Sequence, residues 1–524
     1  MKLNNKPTDY GKWLYPLSLV VIFLISFNYI FNSKIDLNGD NCSYYMLATS
    51  IAQGHGFADI TNDAYTPSNV FPPGYPLLMS IVRLFTGSFL AQKIMNGLFL
   101  LASSLLMFHF FKKQQIRQSV AVVAAALMLV NFQVLHFATM MMSEMSFLLF
   151  SVLSLYALYR SEEKGEPFWK NPFFYLTIFF AAYGYHIRTQ GIAMVAAIAG
   201  FFLFTRKWKE MLGFIAGFAL CLLPWMLRNK ILGLGQSLYL DMIAMSNSWR
   251  PEEGTLGISE IISRFFDTLQ MLVTKAIPNS MVPYLNVNYN APTTLLEWLV
   301  GIIILLLFTY GAQQLNRYKY VFWFYILGTL CVISLFSAPS GNRYLTSALP
   351  FIETAVFIGL YTLLSVATRR LNIGKQFSPY ILAVICLFTC MPKLNALHKI
   401  NSAQFPPNYA NFFRIGEEVH KRLPKQTVVC SRKPELFYMF SKGAVCGYQW
   451  TEDDRTLIKG LLDSKADYVV LEQLGFSSTV RYLYPAINKH PELFRVVIHL
   501  KNPDTYLLQF DREKAAKMLS QDAG

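Results

Sequence analysis

The chain has 524 residues, of which 54% are apolar and 15% charged, against roughly 45 to 50% and about 25% in an average soluble domain. These proportions, with a mean hydropathy of +0.34, exclude a single soluble core and indicate an integral membrane protein. The net charge of +15 would suggest nucleic-acid binding in a soluble chain, but basic residues of membrane proteins collect in cytoplasmic loops, so we expect no nucleic-acid partner.

Apolar segments long enough to cross a bilayer run through most of the chain. A hydrocarbon core about 30 Å thick takes about 20 apolar residues as a helix. We predict eleven spans, at 13–32, 88–111, 119–136, 143–159, 172–186, 191–205, 211–227, 293–312, 321–336, 351–367 and 379–395. No small-residue cleavage site follows the first segment, which favours a retained span over a secretory signal. The predicted fold is an α-helical polytopic membrane protein with a transmembrane domain at 1–395.

The distribution of basic residues predicts the orientation. With the N-terminus in the cytoplasm, the inner segments hold 17 Lys and Arg in 55 residues, whereas the short outer loops hold only Arg188 and Arg343. Two long loops, 33–87 and 228–292, and the C-terminal segment 396–524 then lie outside. The protein's membrane-lipid contacts come from its spans, and its functional surface is expected on the outer face.

Reporter fusions test this orientation. A reporter fused after Arg117 should read inside, and fusions after Asn290 and Gly524 should both read outside, because the basic loops stay in the cytoplasm. An inside reading after Gly524 would contradict the eleven-span arrangement.

The C-terminal segment 396–524 has a different pattern. Short apolar stretches typical of strands lie at 427–430, 444–446, 466–471, 494–499 and 506–510. Helical stretches fall between them, at 414–422, 433–441 and 455–464. This alternation predicts a small α/β domain of about 110 residues. Cys430 and Cys446 end two of the strands, and both a disulfide and two buried free thiols are consistent with this placement.

Two carboxylates follow the first span, at the level where a lipid-borne substrate would arrive. Asp36 and Asp40 can each act as a general base, or can simply be solvated or cap the helix that begins near Asn41.

The same loop continues to Phe-Pro-Pro-Gly-Tyr-Pro at 71–76. Proline fixes φ and glycine admits positive φ, so this motif predicts a rigid turn that re-enters a helix at a set angle.

Further charged residues lie at the predicted outer boundary. Glu144 opens the fourth span, where it either caps the helix or faces an outer cavity. Arg188, Arg228 and Arg343 lie at equivalent depth. A single arginine there snorkels to water, whereas converging guanidinium groups match the oxygens of a phosphate and offset its charge.

Signatures of other chemistries are missing from the sequence. It has no Walker loop, GxGxxG, HExxH or EF-hand pattern, which disfavours nucleotide hydrolysis and soluble-cofactor chemistry. The seven cysteines have scattered spacings that form no metal site.

The ordered set of motifs resembles the polytopic C-type (GT-C) glycosyltransferases. In chain order the motifs are an Asp before a Tyr-rich helix, Pro-Pro-Gly-Tyr-Pro, Ser-Glu at the fourth span, Arg-x-x-Gly, Pro-Trp-x-x-Arg-Asn and a late Arg-Tyr. Within this superfamily the chain is most similar to bacterial protein-mannosyltransferase-like enzymes and to the lipid A aminoarabinose transferase. The resemblance covers 1–395 in motif order, and 396–524 resembles the small extracytoplasmic domain of many bacterial members.

The resemblance implies an inverting glycosyltransferase of the bacterial inner membrane. Such an enzyme moves a sugar from a polyprenyl-phosphate donor to a protein, lipid or glycan acceptor on the periplasmic face. Asp40 matches the catalytic Asp of the family, with Asp36 as its rival. The family commonly has Glu where this chain has Asn41, so no cofactor is assigned and a divalent metal stays an open question. The residues expected to bind substrate are Arg188, Arg228, Arg343, Tyr344, Glu144 and Tyr75.

Two other functions are consistent with the same features. An oligosaccharide ligase or polymerase would use the same site with a larger donor. A transporter or flippase of lipid-linked glycans also places charges within the membrane, but transporters tend to have internal repeats and charges near the midplane. The charges here lie at the outer boundary beside long loops, which favours the transferase.

Overall fold

The structure is a computed structural model that describes residues 11–37, 39–61, 65–235, 242–247, 250–282, 284–285, 287–336, 343–370 and 378–521. Most of them form helices. The first ten helices are α1 Gly11–Ile30, α2 Asp40–Ala52, α3 Gly74–Arg83, α4 Phe89–Lys113, α5 Gln118–Val130, α6 Phe132–Ala138, α7 Glu144–Lys164, α8 Pro172–Ile187, α9 Ile192–Phe204 and α10 Trp208–Ile231. The helical part ends with α11 Ile258–Met271, α12 Ile277–Met281, α13 Leu295–Gln313, α14 Lys319–Ser334, α15 Leu349–Arg370 and α16 Pro379–Ser402.

Each predicted span coincides with a helix or a helix pair, but their lengths differ. Six described helices are long and apolar enough to cross a membrane by themselves: Trp13–Ile30, Phe89–Lys113, Trp208–Ile231, Leu295–Gln313, Leu349–Arg370 and Pro379–Arg422. The pair α5 and α6, bent by 61°, would be a seventh if it counts as one span. The helices at the other four predicted positions, α7, α8, α9 and α14, are shorter or less apolar. Length and apolarity therefore support only part of the predicted count of eleven.

The bend between α5 and α6 is capped by Asn131. Its side-chain oxygen accepts hydrogen bonds from the backbone N–H groups of Gln133 and Val134, both at 3.1 Å, so α6 starts in a new direction. The side chain of Gln133 then donates to Thr346 Oγ1 at 2.9 Å. This bond ties the broken helix to the segment that carries Arg343.

The C-terminal α/β region, Pro407–Gln521, contains a five-stranded mixed sheet. Its elements are α17 Pro407–Arg422, β1 Val429–Cys430, α18 Pro434–Ser441, β2 Val445–Cys446, α19 Asp454–Asp463, β3 Tyr468–Leu471, α20 Tyr484–Lys489, β4 Phe494–Leu500, β5 Thr505–Phe510 and α21 Arg512–Gln521. The strand order is β2-β1-β3-β5-β4, with β1 parallel to both neighbours and β5 antiparallel to both of its own. All five predicted strands and three predicted helices are present.

Cys430 and Cys446 are register partners on the neighbouring strands β1 and β2. The structure keeps both thiols free, so of the two alternatives left by the sequence it has the unbridged one.

The C-terminal α/β region packs against both long loops of the helical part. The backbone N–H of Val445, at the edge of the sheet, donates to the carbonyl of Thr61 at 3.0 Å. In the second long loop, the carboxylate of Glu252 accepts the hydroxyl of Tyr482 at 2.8 and 2.9 Å and lies 3.2 Å from Arg481. The sheet therefore holds the two loops that border the candidate site.

Candidate active site

Asp36 is a buried structural carboxylate. Its Oδ1 forms an ion pair with the ammonium of Lys93 at 3.1 Å, and its Oδ2 accepts the backbone N–H of Met141 at 3.1 Å. Both members of the ion pair are buried. Asp36 does not border the candidate cavity described below, so its predicted role as the rival catalytic residue finds no geometric support. Lys93 lies within the apolar predicted span 88–111. A lysine in such a span needs a partner, and this was the feature of the sequence that could have indicated the ion pair.

Replacing Lys93 with methionine should lower the free energy of unfolding by about 3 kcal/mol or more. The change leaves the Asp36 carboxylate buried without its counter-charge, and breaking a buried pair from one side typically costs about 3–5 kcal/mol. Denaturant unfolding of the detergent-solubilised protein measures the loss.

A matched control lies on the same helix. Lys113 is 3.8 Å from Glu163, and both side chains are more than 40% exposed. Lys113→Met should change the free energy of unfolding by about 1 kcal/mol or less. Equal stability of the two variants would contradict a structural role for the buried pair.

Four charged side chains from distant parts of the sequence meet at one end of the helical part. Asp40 is the first residue of α2, Glu144 is the first residue of α7, Arg188 follows α8, and Arg343 precedes α15. Arg343 donates from Nη2 to Asp40 Oδ2 at 2.9 Å and from Nε to Glu144 Oε1 at 2.9 Å. Arg188 donates from Nη1 to the same Glu144 oxygen at 3.0 Å. The result is a continuous Asp40–Arg343–Glu144–Arg188 chain, which we call the charge cluster.

Glu144 is the centre of the charge cluster. It is 1% exposed, and its Oε1 accepts from both guanidinium groups, while its Oε2 has no hydrogen-bond partner among the described residues. Burial lowers the pKa of Arg343, but the carboxylates of Glu144 and Asp40 outweigh this and raise it, so the guanidinium stays charged. Glu144 therefore allows two cations to lie side by side.

Two glycines permit the close packing that places Arg188. A Cβ on Gly74, in the Pro-Pro-Gly motif, would lie 2.8 Å from the backbone of His186 and Ile187. A Cβ on Gly191, in the Arg-x-x-Gly motif, would lie 2.7 Å from the backbone of Tyr185. Both contacts are too short for any side chain, so the two motifs are explained by steric packing around the end of α8. The His186 ring hydrogen-bonds the carbonyl of Cys221 in α10 at 3.2 Å.

The charge cluster borders a cavity that is partly open to solvent. Asp40, Arg188 and Arg343 form its polar wall. The other lining residues are Tyr44, Phe71, Pro72, Ile187, Thr189, Gln190, Met242, Val332, Ile333, Phe336 and Tyr344. One cavity thus joins charged groups to an apolar wall, as a ligand with a charged head and an apolar tail requires.

Several lining residues had no clear signal in the sequence. Tyr344 was predicted, and its ring lies 5.5 Å from the Arg188 guanidinium. Its backbone carbonyl accepts the side-chain amide of Gln190 at 2.9 Å, which fixes the segment beside Arg343. Tyr44 and Gln190 were not predicted individually, because tyrosine and glutamine are common in any loop.

Among the described residues, no hydrogen bond joins Arg228 or Tyr75 to the charge cluster. Arg228 donates to the backbone carbonyls of Phe57 and Ser68 at 2.8 and 3.0 Å, and it borders a separate apolar cavity. Tyr75 is fully buried, and its hydroxyl accepts from Asn96 at 2.9 Å. Neither residue lines the cavity of the charge cluster, so their predicted contact with substrate finds no support from that cavity. Arginines at the same depth in the membrane can point to different sides of the helical part, so equal depth did not show that Arg228 would meet Arg188 and Arg343.

The described residues around the charge cluster do not form a site for a divalent metal. Among the described residues, no group of three His, Cys, Asp or Glu side chains is placed to hold one. The carboxylates of Asp40 and Glu144 both bond to Arg343, which competes with a cation for their oxygens. The amide of Asn41, beside Asp40, is used within the loop, since it accepts from Gly39 N and donates to the carbonyl of Asp36.

The chain is similar to a known protein family in sequence and to solved proteins in structure. The profile of the family described as dolichyl-phosphate-mannose-protein mannosyltransferase matches residues 71–227. The crystal structure of ArnT from Cupriavidus metallidurans bound to undecaprenyl phosphate gives a TM-score of 0.59 at 11% identity, over 94% of this chain and 97% of that one. The Archaeoglobus fulgidus oligosaccharyltransferase, in complex with Zn and sulfate, gives a TM-score of 0.56 at 10% identity, over 95% and 73%. No curated protein matches this chain by sequence.

These findings confirm the resemblance to the C-type glycosyltransferases. The matched region, 71–227, begins at the Pro-Pro-Gly motif and includes Glu144 and Arg188. The structural likeness covers almost the whole chain, including the C-terminal α/β region. The chain is thus a membrane protein that shares the fold of this superfamily.

Proposed function

We propose that this protein is an inverting glycosyltransferase that moves a sugar from a polyprenyl-phosphate donor to an acceptor on the outer face of the bacterial inner membrane. The observation that carries the proposal is the charge cluster at the wall of a partly apolar cavity. Arg188 and Arg343 supply cations for a phosphate, and Asp40 supplies a base beside them. The structure of ArnT with undecaprenyl phosphate supports a lipid phosphate as the ligand of this fold.

Asp40, Arg188 and Arg343 each have a role in the proposed reaction. The acceptor hydroxyl or amine gives its proton to the Asp40 carboxylate and attacks the anomeric carbon. The bond from that carbon to the phosphate oxygen breaks, and its electron pair leaves with the phosphate. A general base typically contributes about 10² to 10⁴-fold to such a step. Arg188 and Arg343 stabilise the negative charge that develops on the departing phosphate.

The donor phosphate competes with Asp40 for Arg343. Without donor, Nη2 of Arg343 donates to Asp40 Oδ2 at 2.9 Å, so this oxygen is already engaged. A phosphate that accepts from Nη2 would release Asp40 when the reacting sugar arrives. Glu144 stays in place, because it is bonded to both arginines and buried.

Reconstitution tests the proposed function directly. The purified protein would be placed in liposomes with a radiolabelled, synthetic polyprenyl-phosphate sugar. We expect release of polyprenyl phosphate that depends on an added acceptor extract, and labelled glycoprotein or glycolipid as the product. The acceptor class is then read by mass spectrometry of envelope material from the parent and deletion strains.

The same assay separates the competing functions. A flippase would move the intact donor between leaflets without breaking the bond between sugar and phosphate. A ligase or polymerase would accept oligosaccharide donors and leave single-sugar donors unused. Either result would contradict the proposed transfer of a single sugar.

A further inference from the structure

Lys433 of the C-terminal α/β region reaches the loop that carries Asp40. It precedes α18, and its ammonium donates to the backbone carbonyl of Leu37 at 2.8 Å. The nitrogen also lies 3.2 Å from the position that a Cβ on Gly39 would take. Nearly 400 residues separate Lys433 from this loop, so the contact depends on docking of the sheet against the helical part.

Gly39 and Asp40 form the start of α2. Gly39 has a φ of +96°, a conformation that residues with a Cβ rarely adopt, and its carbonyl accepts the backbone N–H of Cys42 at 2.9 Å. Asp40 is the next residue, and its side chain is 39% exposed toward the cavity. A shift of this helix start would move the carboxylate, because Asp40 is its first residue.

Lys433 is itself held in place on the C-terminal side. Its ammonium lies 4.9 Å from the centre of the Phe476 ring. The neighbouring Arg432 lies between the rings of Trp450 and Phe476, at 4.4 and 4.7 Å. These contacts limit the positions open to the lysine that donates to Leu37.

We propose that Lys433 is a positioning residue for the transfer reaction: its ammonium holds the start of α2 and thereby aims Asp40 into the cavity. The proposal rests on the function proposed above. It gives the C-terminal α/β region a direct part in the chemistry of a site that lies in the helical part.

The pKa of Lys433 is lowered overall, but the charge of Asp40 acts to raise it. Burial lowers it, the adjacent Arg432 lowers it further, and Asp40 opposes both by raising it. The carboxylate of Asp40 is thus close enough to favour the charged form of the lysine.

Substitutions at Lys433 test the proposal. Lys433→Met keeps the chain length and the apolar contact with Phe476 but removes the donor, so we expect kcat to fall at least about tenfold with the donor KM within about twofold. Lys433→Arg keeps a cationic donor and should recover kcat to within about threefold of wild type. Lys442→Met, at the exposed end of the same helix, removes an equal charge and should leave kcat unchanged.

Amide hydrogen exchange gives a readout that does not depend on activity. Residues 39–43 should exchange faster in Lys433→Met than in wild type or Lys442→Met, because the start of α2 loses its tether. If Lys433→Met does not fold, Lys433→Gln replaces it, since its shorter side chain cannot reach Leu37.

The outcomes separate this inference from the proposed function. A wild-type protein that transfers no sugar overturns the proposed function. With an active wild type, unchanged kcat or unchanged exchange at 39–43 in Lys433→Met overturns the positioning role. A raised donor KM with normal kcat also overturns it, because that pattern would make Lys433 a substrate-binding residue.

Discussion

Replacing Asp40 with asparagine should lower turnover by about a hundredfold or more while the protein stays folded and inserted. The change removes the proton acceptor, which typically contributes about 10² to 10⁴-fold. Asparagine keeps the size of the side chain and an oxygen that can still accept from Arg343. The Asp40 side chain is 39% exposed, so loss of its ion pair should cost about 1 kcal/mol or less of stability. Single-turnover kinetics with a labelled lipid-phosphate sugar measure the effect on chemistry.

A second carboxylate of the same loop serves as the control. Asp59 accepts the backbone N–H of Thr61 at 2.8 Å and does not border the cavity. Asp59→Asn should keep near-normal turnover, since asparagine can accept the same bond. Near-normal turnover of Asp40→Asn would remove Asp40 as the base. Loss of donor binding in that variant would instead indicate a role in recognition.

Arg343→Lys should lower turnover by about a hundredfold and weaken donor binding. The guanidinium donates to two carboxylates from different nitrogens, at 2.9 Å each, and is aimed at the cavity between them. Lysine keeps the charge that neutralises Glu144 but has no planar fork, so it cannot hold Glu144 and a phosphate together in a fixed geometry. Removal of one well-placed donor from a charge-stabilising site costs about 10² to 10³-fold in kcat.

Arg228→Lys provides the comparison for Arg343→Lys. Arg228 bonds to loop carbonyls beside a different cavity, so the same exchange there should change kcat by only a few fold. Protein level and unfolding midpoint should be measured for both variants. Equal losses in the two variants would contradict the assignment of phosphate binding to the charge cluster. Arg188→Lys should resemble Arg343→Lys in direction, because both arginines share one oxygen of Glu144.

The sequence predicted the local structure well. Runs of apolar residues marked helices at all eleven predicted spans, and alternating short apolar stretches marked the five strands of the C-terminal sheet. These patterns depend on neighbours a few positions away in the chain, so they can be read without a structure. The order of the motifs also indicated the resemblance to the superfamily. Two of these motifs contain Gly74 and Gly191, where a side chain would clash with a neighbouring backbone.

Which residues belong to the site could be seen only in the tertiary structure. Asp36 and Asp40 are four residues apart in one loop, yet one is buried against Lys93 and the other faces the cavity. Arg188, Arg228 and Arg343 lie at one predicted depth, yet only two share Glu144. Depth along the membrane follows from hydrophobic length, whereas direction within the membrane plane follows from helix packing, which the spacing of residues does not encode.

Composition and local pattern thus determined that this chain is a helical membrane protein with a small C-terminal sheet and charged residues at one boundary. Packing alone decided which carboxylate faces the cavity, which arginines converge, and that Lys433 meets the loop before Asp40. The physical reason is the range of the interactions. Hydrophobic periodicity acts over one or two helical turns, whereas the charge cluster joins side chains up to 303 positions apart and Lys433 reaches a loop 396 positions away.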